Sequence, residues 1–397
     1  MKLNQWTVGL AAAGVISLAS AVNAEEAASQ VMTALSSTTL SGYVDTSAIW
    51  KFGTGANVVG RSYDGPAKQD GFNLNVVKVS LEKPLDEGQW SAGYKVDFLV
   101  GPDAGTFGSN IKQAYVALRV PVGNGVDVKM GVWDTIIGYE VFDAGSNPNY
   151  SRSFGYLLEP TTYTGLQASY KVADWMSVTA GVADPGVGFG INNRSQIESV
   201  KSYMASVVFT APESWGSLKG AALYAGIVDH GKQVAPSVDT QNYYVGVTTP
   251  TGLEGLSVGA SYDYQGFSHR DGFNPSGYAN AASFYTTYKH DKWSFNNRFE
   301  YATSGNSYNP FGVSGYYYPG EVEDSLASAA ATTNHHPQLI GETFTVDYSL
   351  WANVISRVEF RWDHDLRGGP GGTFATDHYP LGQKNALSLA LNVIYKF

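Results

Sequence analysis

Trp90-Ser91-Ala92-Gly93-Tyr94-Lys95-Val96-Asp97-Phe98-Leu99-Val100 alternates between two kinds of side chain. Trp90, Ala92, Tyr94, Val96, Phe98 and Val100 share one parity, while Ser91, Lys95 and Asp97 take the other. Successive side chains of a strand point to opposite faces, so this segment predicts a strand that is apolar on one side and polar on the other. Three more windows repeat the pattern. Leu40, Val44, Ala48, Trp50 and Phe52 oppose Ser41, Tyr43, Asp45, Ser47 and Lys51. Trp293, Phe295, Phe299 and Tyr301 oppose Ser294, Asn296, Arg298 and Glu300. In Ala352 to His364, Ala352, Val354, Val358, Phe360 and Trp362 oppose Asn353, Arg357, Glu359, Arg361 and Asp363.

Further strands are expected near Phe72 to Glu82, Ile111 to Val120, Val126 to Trp133, Thr162 to Val172, Trp175 to Ala183, Lys201 to Ala211 and Leu218 to Asp229. Others follow near Gln241 to Thr249, Leu256 to Gln265, Ala282 to Lys289, Leu339 to Ser349 and Asn385 to Phe397. The windows at Phe72, Leu218 and Ala282 alternate poorly, so the reading is about sixteen strands within a range of fourteen to eighteen. Links between them alternate in length. Short ones lie at Pro84 to Glu87, Pro121 to Gly125, Ala173-Asp174, Pro212 to Gly216, Pro250 to Gly255, His290-Asp291 and Leu350-Trp351. Long ones lie at Gly53 to Gly71, Gly101 to Asn110, Asp134 to Thr161, Asp184 to Ser199, His230 to Thr240, Gly266 to Asn280, Ser304 to Gln338 and Asp365 to Lys384.

Short turns at one end and long loops at the other are the plan of an antiparallel, up-and-down transmembrane β-barrel. No apolar run after the leader reaches the roughly 20 residues that a spanning helix needs. A closed barrel is the remaining way to satisfy every backbone group in a bilayer. Composition agrees: 26 Tyr, 18 Phe, 9 Trp and 45 Gly in 397 residues, with 15% charged residues, are strand and turn formers. With no cysteine, disulfides and thiolate sites are excluded. A formal charge of −10 argues against a nucleic-acid partner. Lys2, the apolar stretch Trp6 to Leu18 and Val22-Asn23-Ala24 predict a cleaved signal peptide over residues 1–24, then a short tail at 25–37 and the barrel at 38–397. The last strand ends Leu389, Leu391, Val393, Tyr395, Phe397 on one parity. It is similar to the terminal-strand assembly signal of bacterial outer-membrane proteins, which implies Tyr395 and Phe397 as contacts for the barrel-assembly machinery.

Lys129-Met130-Gly131-Val132-Trp133-Asp134-Thr135-Ile136-Ile137-Gly138-Tyr139-Glu140, continuing through Asn147 and Ser151-Arg152-Ser153 to Pro160 and Gly165, resembles the OmpL-like family of bacterial β-barrel porins. Leu81-Glu82-Lys83-Pro84-Leu85 and Gln113-Ala114-Tyr115-Val116 carry the same likeness. The resemblance spans nearly all of the mature chain. It implies a Gram-negative outer-membrane diffusion channel, surrounded by lipid, that passes small polar solutes.

In such channels a long loop folds into the lumen, and the candidate here is Asp134 to Thr161 with Glu140, Asp143, Arg152 and Glu159. The alternative is a surface cap held by Tyr139, Phe142, Tyr150 and Phe154. The wall charges Lys95, Asp97, Arg119, Lys129, Lys171, Arg298, Glu300, Arg357, Glu359 and Arg361 are expected to face water, and their mixed signs predict weak ion preference. An outer-membrane hydrolase is the competing reading, with Asp363, His364, Asp377 and His378 at the rim as an acid/base set. Residues adjacent in a strand point apart, which weakens that set. His335-His336 lacks a third ligand, and Gly186 to Gly190 and Gly368 to Gly372 precede no helix, so no metal or cofactor is expected. A folded adhesin module or plug domain has no length of chain to occupy. A homo-oligomer and a monomer both fit this parity and these loop lengths.

Overall fold

The computed structural model describes residues 38–52, 61–86, 88, 90–185, 191–192, 200–231, 239–268, 276–305, 310–311, 338–366 and 384–397. Within them lie β1 (Thr39–Phe52), β2 (Gly71–Lys83), β3 (Ser91–Val100), β4 (Ile111–Val120), β5 (Val126–Asp134), β6 (Thr162–Ala173), β7 (Met176–Ala183) and β8 (Ser202–Thr210). The second half holds β9 (Ala222–Asp229), β10 (Thr240–Pro250), β11 (Leu256–Phe267), β12 (Gly277–His290), β13 (Trp293–Gly305), β14 (Gln338–Tyr348), β15 (Val354–Asp365) and β16 (Asn385–Lys396). Each strand pairs antiparallel with its sequence neighbours, and β1 pairs with β16 to close one ring. The ring leaves no unpaired edge, as a bilayer requires.

All three poorly alternating windows are strands. The one at Leu218 begins later than expected, at Ala222, because Glu213–Leu218 coils into a 3-10 turn first. Three bulges, between Asp45 and Thr46, Asp97 and Phe98, and Lys171 and Ala173, shift the register locally.

The two faces separate as the alternation predicts. On β15, Val358 is 47% exposed and Phe360 38%, whereas Arg357 and Glu359, which alternate with them, are 5% and 2%. Outward aromatic side chains gather at the turn end: Trp293 packs on Tyr348 with centroids 4.5 Å apart, and Trp175 stacks near Phe209. Such amphipathic rings suit the boundary between hydrocarbon and water. One carboxylate breaks the apolar outer face of β14, Glu342, and it accepts a hydrogen bond from Asn297 on β13. Inside the ring sit two short helices, α1 (Pro102–Phe107) and α2 (Phe154–Leu158). The Ser153 hydroxyl caps α2 by accepting from the Tyr156 amide at 3.1 Å.

Candidate functional site: a loop docked inside the barrel

The chain leaving β5 at Asp134 does not cap the barrel. It turns inward and runs along the inner wall of β13 to β15 before rejoining β6 at Thr162. Arg357 donates to the carbonyls of Ala144 at 2.7 Å and Asn147 at 2.9 Å. Higher on the same strand, Glu359 accepts from the backbone amides of Tyr150 at 2.5 Å and Ser151 at 3.0 Å. On β13, Arg298 donates to the Ser151 carbonyl at 2.6 Å and to Glu140 at 2.9 Å, and Glu300 accepts from the Phe154 amide at 2.6 Å. The wall therefore supplies the hydrogen bonds that an irregular segment cannot make to itself. Because most of these pairs carry a charge, they are of the strong kind.

A second element presses on the docked loop. Arg61, from the connection between β1 and β2, pairs with Glu300 and Asp363, and Asp64 pairs with Arg361. The Arg61 guanidinium also lies 4.0 Å over the Phe154 ring. On β1 and β2, Tyr43 and Lys78 donate to Asp143 at 2.8 and 2.7 Å. Burial disfavours the Asp143 carboxylate, but Lys78 and Lys112 outweigh it and hold its carboxyl well below the usual range.

Farther round the ring, the wall of β9 to β11 holds the loop by shape. A Cβ added at Gly226 of β9 would stand 2.6 Å from Ile137 Cγ2, and one at Gly259 of β11 would stand 1.9 Å from the Tyr139 hydroxyl. These glycines are notches into which loop side chains seat, the use of glycine that close approach demands. The loop reciprocates at Gly138 and Gly155, where a Cβ would meet Glu159 at 2.1 Å and Asp263 of β11 at 2.4 Å. Asn242 and Gln265 donate to the Leu158 carbonyl at 2.6 and 3.1 Å. Glu159 lies against Asp263; burial, with that second carboxyl and Glu140 nearby, pushes its pKa well up. A proton shared between the two carboxyls suits that contact.

Beneath the loop is a chamber of about 550 Å³. Ile136, Ile137, Tyr139 and Phe142 form its roof, Tyr224, Tyr244 and Tyr285 its sides, and Pro250, Asp291 and Ser349 of the turns its other end.

The inward charges point into the barrel, as the alternation predicts, but many do not face water. Arg298, Glu300 and Asp97 are fully buried, and Glu359 and Arg361 nearly so, because the loop and their own counter-ions cover them. Asp97 accepts from Ser80 at 2.5 Å and Gln113 at 3.0 Å. Lys95 meets Glu82 at 3.1 Å, Arg119 grips Asp127 through two hydrogen bonds, and Lys129 lies 4.8 Å over the Tyr115 ring. Lys171 pairs with Asp174 at the turn. Arg152 lines nothing: it braces the loop from within, donating to the carbonyls of Val141, Tyr150 and Phe142. Glu140 likewise ties the loop together through the Ser153 amide at 2.7 Å.

Asp363 and His364 point to opposite faces. Asp363 is buried in the lumen with Arg61, whereas His364 contacts Asn385 on the outer face at 2.7 Å, so the two cannot act on one water. Asp377, His378, His335, His336 and the glycine runs at 186–190 and 368–372 lie outside the described residues, as does the leader. Among the described residues no group of three or more metal-ligating side chains occurs. Sequence reasoning missed Arg61, Asp64, Tyr43, Lys78 and the wall glycines. Only the glycines carried a local signal, since glycine inside a strand marks a close approach.

Residues 37–397 match the model of the family described as "Putative beta-barrel porin-2, OmpL-like". No curated protein matches the chain by sequence. Among solved structures the fold is similar to the outer membrane channel DcaP of Acinetobacter baumannii, with a TM-score of 0.57 and 13% identity over 91% of this chain and 97% of that one. It is also similar to an anion-selective porin from Comamonas acidovorans, at 0.55 and 12% over 91% and 99%. In-vitro folded OmpT of Vibrio cholerae gives 0.55 and 13% over 93% and 100%. Identities this low speak for the fold alone, but the family match runs the length of the closed ring, and by that match this chain belongs to the OmpL-like family of beta-barrel porins.

Proposed function

We propose that the protein is an outer-membrane porin that lets small polar solutes diffuse passively, with the 134–161 loop narrowing the passage. The observation that carries this reading is the loop's position: it lies inside a closed barrel, pinned across the lumen from Arg357 on one wall to Gly226 and Gly259 on the other. A segment fixed there sets the width of whatever passes. Rows of charge on the inner wall serve this function by holding the loop. The outer-membrane location of DcaP and OmpT supports the same location here, and a trimer form of OmpT supports a homo-oligomer. Residues 1–24 serve as the export leader, and Tyr395 with Phe397 as the signal read by the assembly machinery.

Purified protein in planar lipid bilayers tests the reading. Ohmic current is expected, and shortening the loop between Asp134 and Thr161 is expected to raise the conductance and admit larger solutes. A folded, heat-modifiable barrel without current overturns the channel reading, and unchanged conductance on shortening overturns the constriction. Deleting Phe397 should leave the chain unassembled in the periplasm.

A further inference from the structure

The chamber under the loop has an unexpected lining for a passage that serves ions and hydrated solutes. Tyr139 of the loop stacks on Tyr285 of β12, with centroids 4.0 Å apart and planes at 12°. Tyr224 and Tyr244 add two more rings, and Ile136 and Ile137 close the roof between them. A volume of about 550 Å³ with mainly aromatic and aliphatic walls is the description of a small-molecule site. Bare apolar walls repel water and slow hydrated ions. Flat rings gain there, since aromatic pairs in offset or edge contact are favourable beyond the area that they bury.

Among the charged side chains that line the chamber, Lys289 is the one in line with the rings; Asp291 and Lys292 follow it at the turn and are of opposite sign. Tyr285, Thr287 and Lys289 follow one another on the inner face of β12, and all three line the cavity. The Lys289 backbone amide donates to the Gly255 carbonyl at 2.9 Å, but its ammonium makes neither a hydrogen bond nor an ion pair among the described residues. The carboxylate that acts on it, Asp347, is already held by Arg357 at 2.9 Å and Asn296 at 3.0 Å. Lys289 lies about 13 Å along the strand from Tyr285, a span that a lysine side chain and one small aromatic ring together cover. The anions near the rings are spent: Glu140 is paired with Arg298 at 2.9 Å, and Glu159, lying against the Asp263 carboxyl, favours its uncharged form.

We propose that the chamber binds small monocyclic aromatic carboxylates in transit, with the ring against the tyrosines and the carboxylate at Lys289. This rests on the channel reading above and adds a solute class to it. No bond is made or broken; the site slows and enriches such solutes at the turn end of the passage.

The test uses the full-length protein in planar bilayers carrying a chloride current, with acetate, benzoate or benzyl alcohol added on the turn side. Benzoate is expected to interrupt the current at concentrations about tenfold below acetate, the factor that an aromatic contact supplies. Lys289→Met should erase the advantage of benzoate over benzyl alcohol, and Tyr224→Leu its advantage over acetate, with heat-modifiability showing that each variant still forms a barrel. Equal block by acetate and benzoate, or preferences unchanged in both variants, overturns the proposal. Ohmic current that none of the three interrupts overturns it while leaving the porin reading intact. A folded barrel that carries no current removes both.

Discussion

The two walls that grip the inward loop do so by opposite means. On β13 to β15, long charged side chains reach out to its backbone: Arg357 to two carbonyls, Glu359 to two amides, Arg298 to Ser151 and Glu140. On β9 and β11 the wall has no side chain at the critical points, and Ile137 and Tyr139 fill the space that Gly226 and Gly259 leave. The charged wall fixes the loop's height, because each contact belongs to one rung of the strand. The glycine wall fixes its depth, because steric repulsion rises steeply within tenths of an ångström. A loop held by only one of them could slide or lift.

The comparison breaks most severely if the charged wall loses a member. Arg298→Met would leave Glu140 and Glu300 buried with fewer counter-charges, and removing one partner of a buried ion pair costs about 3–5 kcal/mol. Denaturant titration of the barrel in detergent should show that loss, together with a raised conductance. Next comes a contrast between neighbours on β15. Val358→Arg puts a cation toward lipid, at a cost of about 2–4 kcal/mol near mid-membrane, and should lower the yield of assembled barrel. Arg357→Ala should assemble normally but free Ala144 and Asn147, so that conductance rises. Similar assembly defects in both would mean that the wall charges hold the barrel, not the loop.

A smaller effect is expected from the glycine wall. Gly226→Val drives two methyl groups at Ile137, and overpacking of this kind costs about 1–3 kcal/mol. Liposome-swelling assays should then report faster entry of larger solutes while the barrel remains heat-modifiable; an unchanged size limit would show that the charged wall suffices. The smallest effect separates the loop's two ends by pH. The Asp143 carboxyl is depressed in the docked loop, so its contribution is complete at neutral pH and is lost only as pH falls below the ordinary value of about 4. Glu159 is raised, so docking at that end is complete at acid pH and weakens as pH climbs above the ordinary value of about 4.3 toward the raised one. Conductance should therefore increase on acidification in a Glu159→Gln variant and on alkalinisation in an Asp143→Asn variant. The same pH response in both variants would place the sensitive group elsewhere.

The barrel was legible because its signal is local: each strand declares its two faces within about ten residues. β9 was blurred at its start for a local reason as well, the 3-10 turn at Glu213–Leu218. The docking of the loop was not legible, because Arg and Glu on an inner face read alike whether water or backbone meets them. Arg61 finds Glu300 and Asp363 across most of the chain's length, and nothing around Arg61 in sequence points to them. Solvation of the wall charges was therefore the natural expectation, and the packed segment replaced it. The notches were the exception: Gly226 and Gly259 interrupt otherwise good strands, and that interruption has a cause.

Closure of the ring also bears on how such a chain tolerates insertions and deletions. In an open sheet a strand can slip at the edge; in a circle every pairing offset must add up to the same total when β16 returns to β1. One residue inserted within a strand would turn the remaining side chains inside out, unless a bulge absorbs it on the spot. The irregularities at Asp45/Thr46, Asp97/Phe98 and Lys171/Ala173 are three places where the ladder accommodates such an offset. Length variation among descendants of this chain should therefore collect in the long connections, while the sixteen staves keep their lengths as one set.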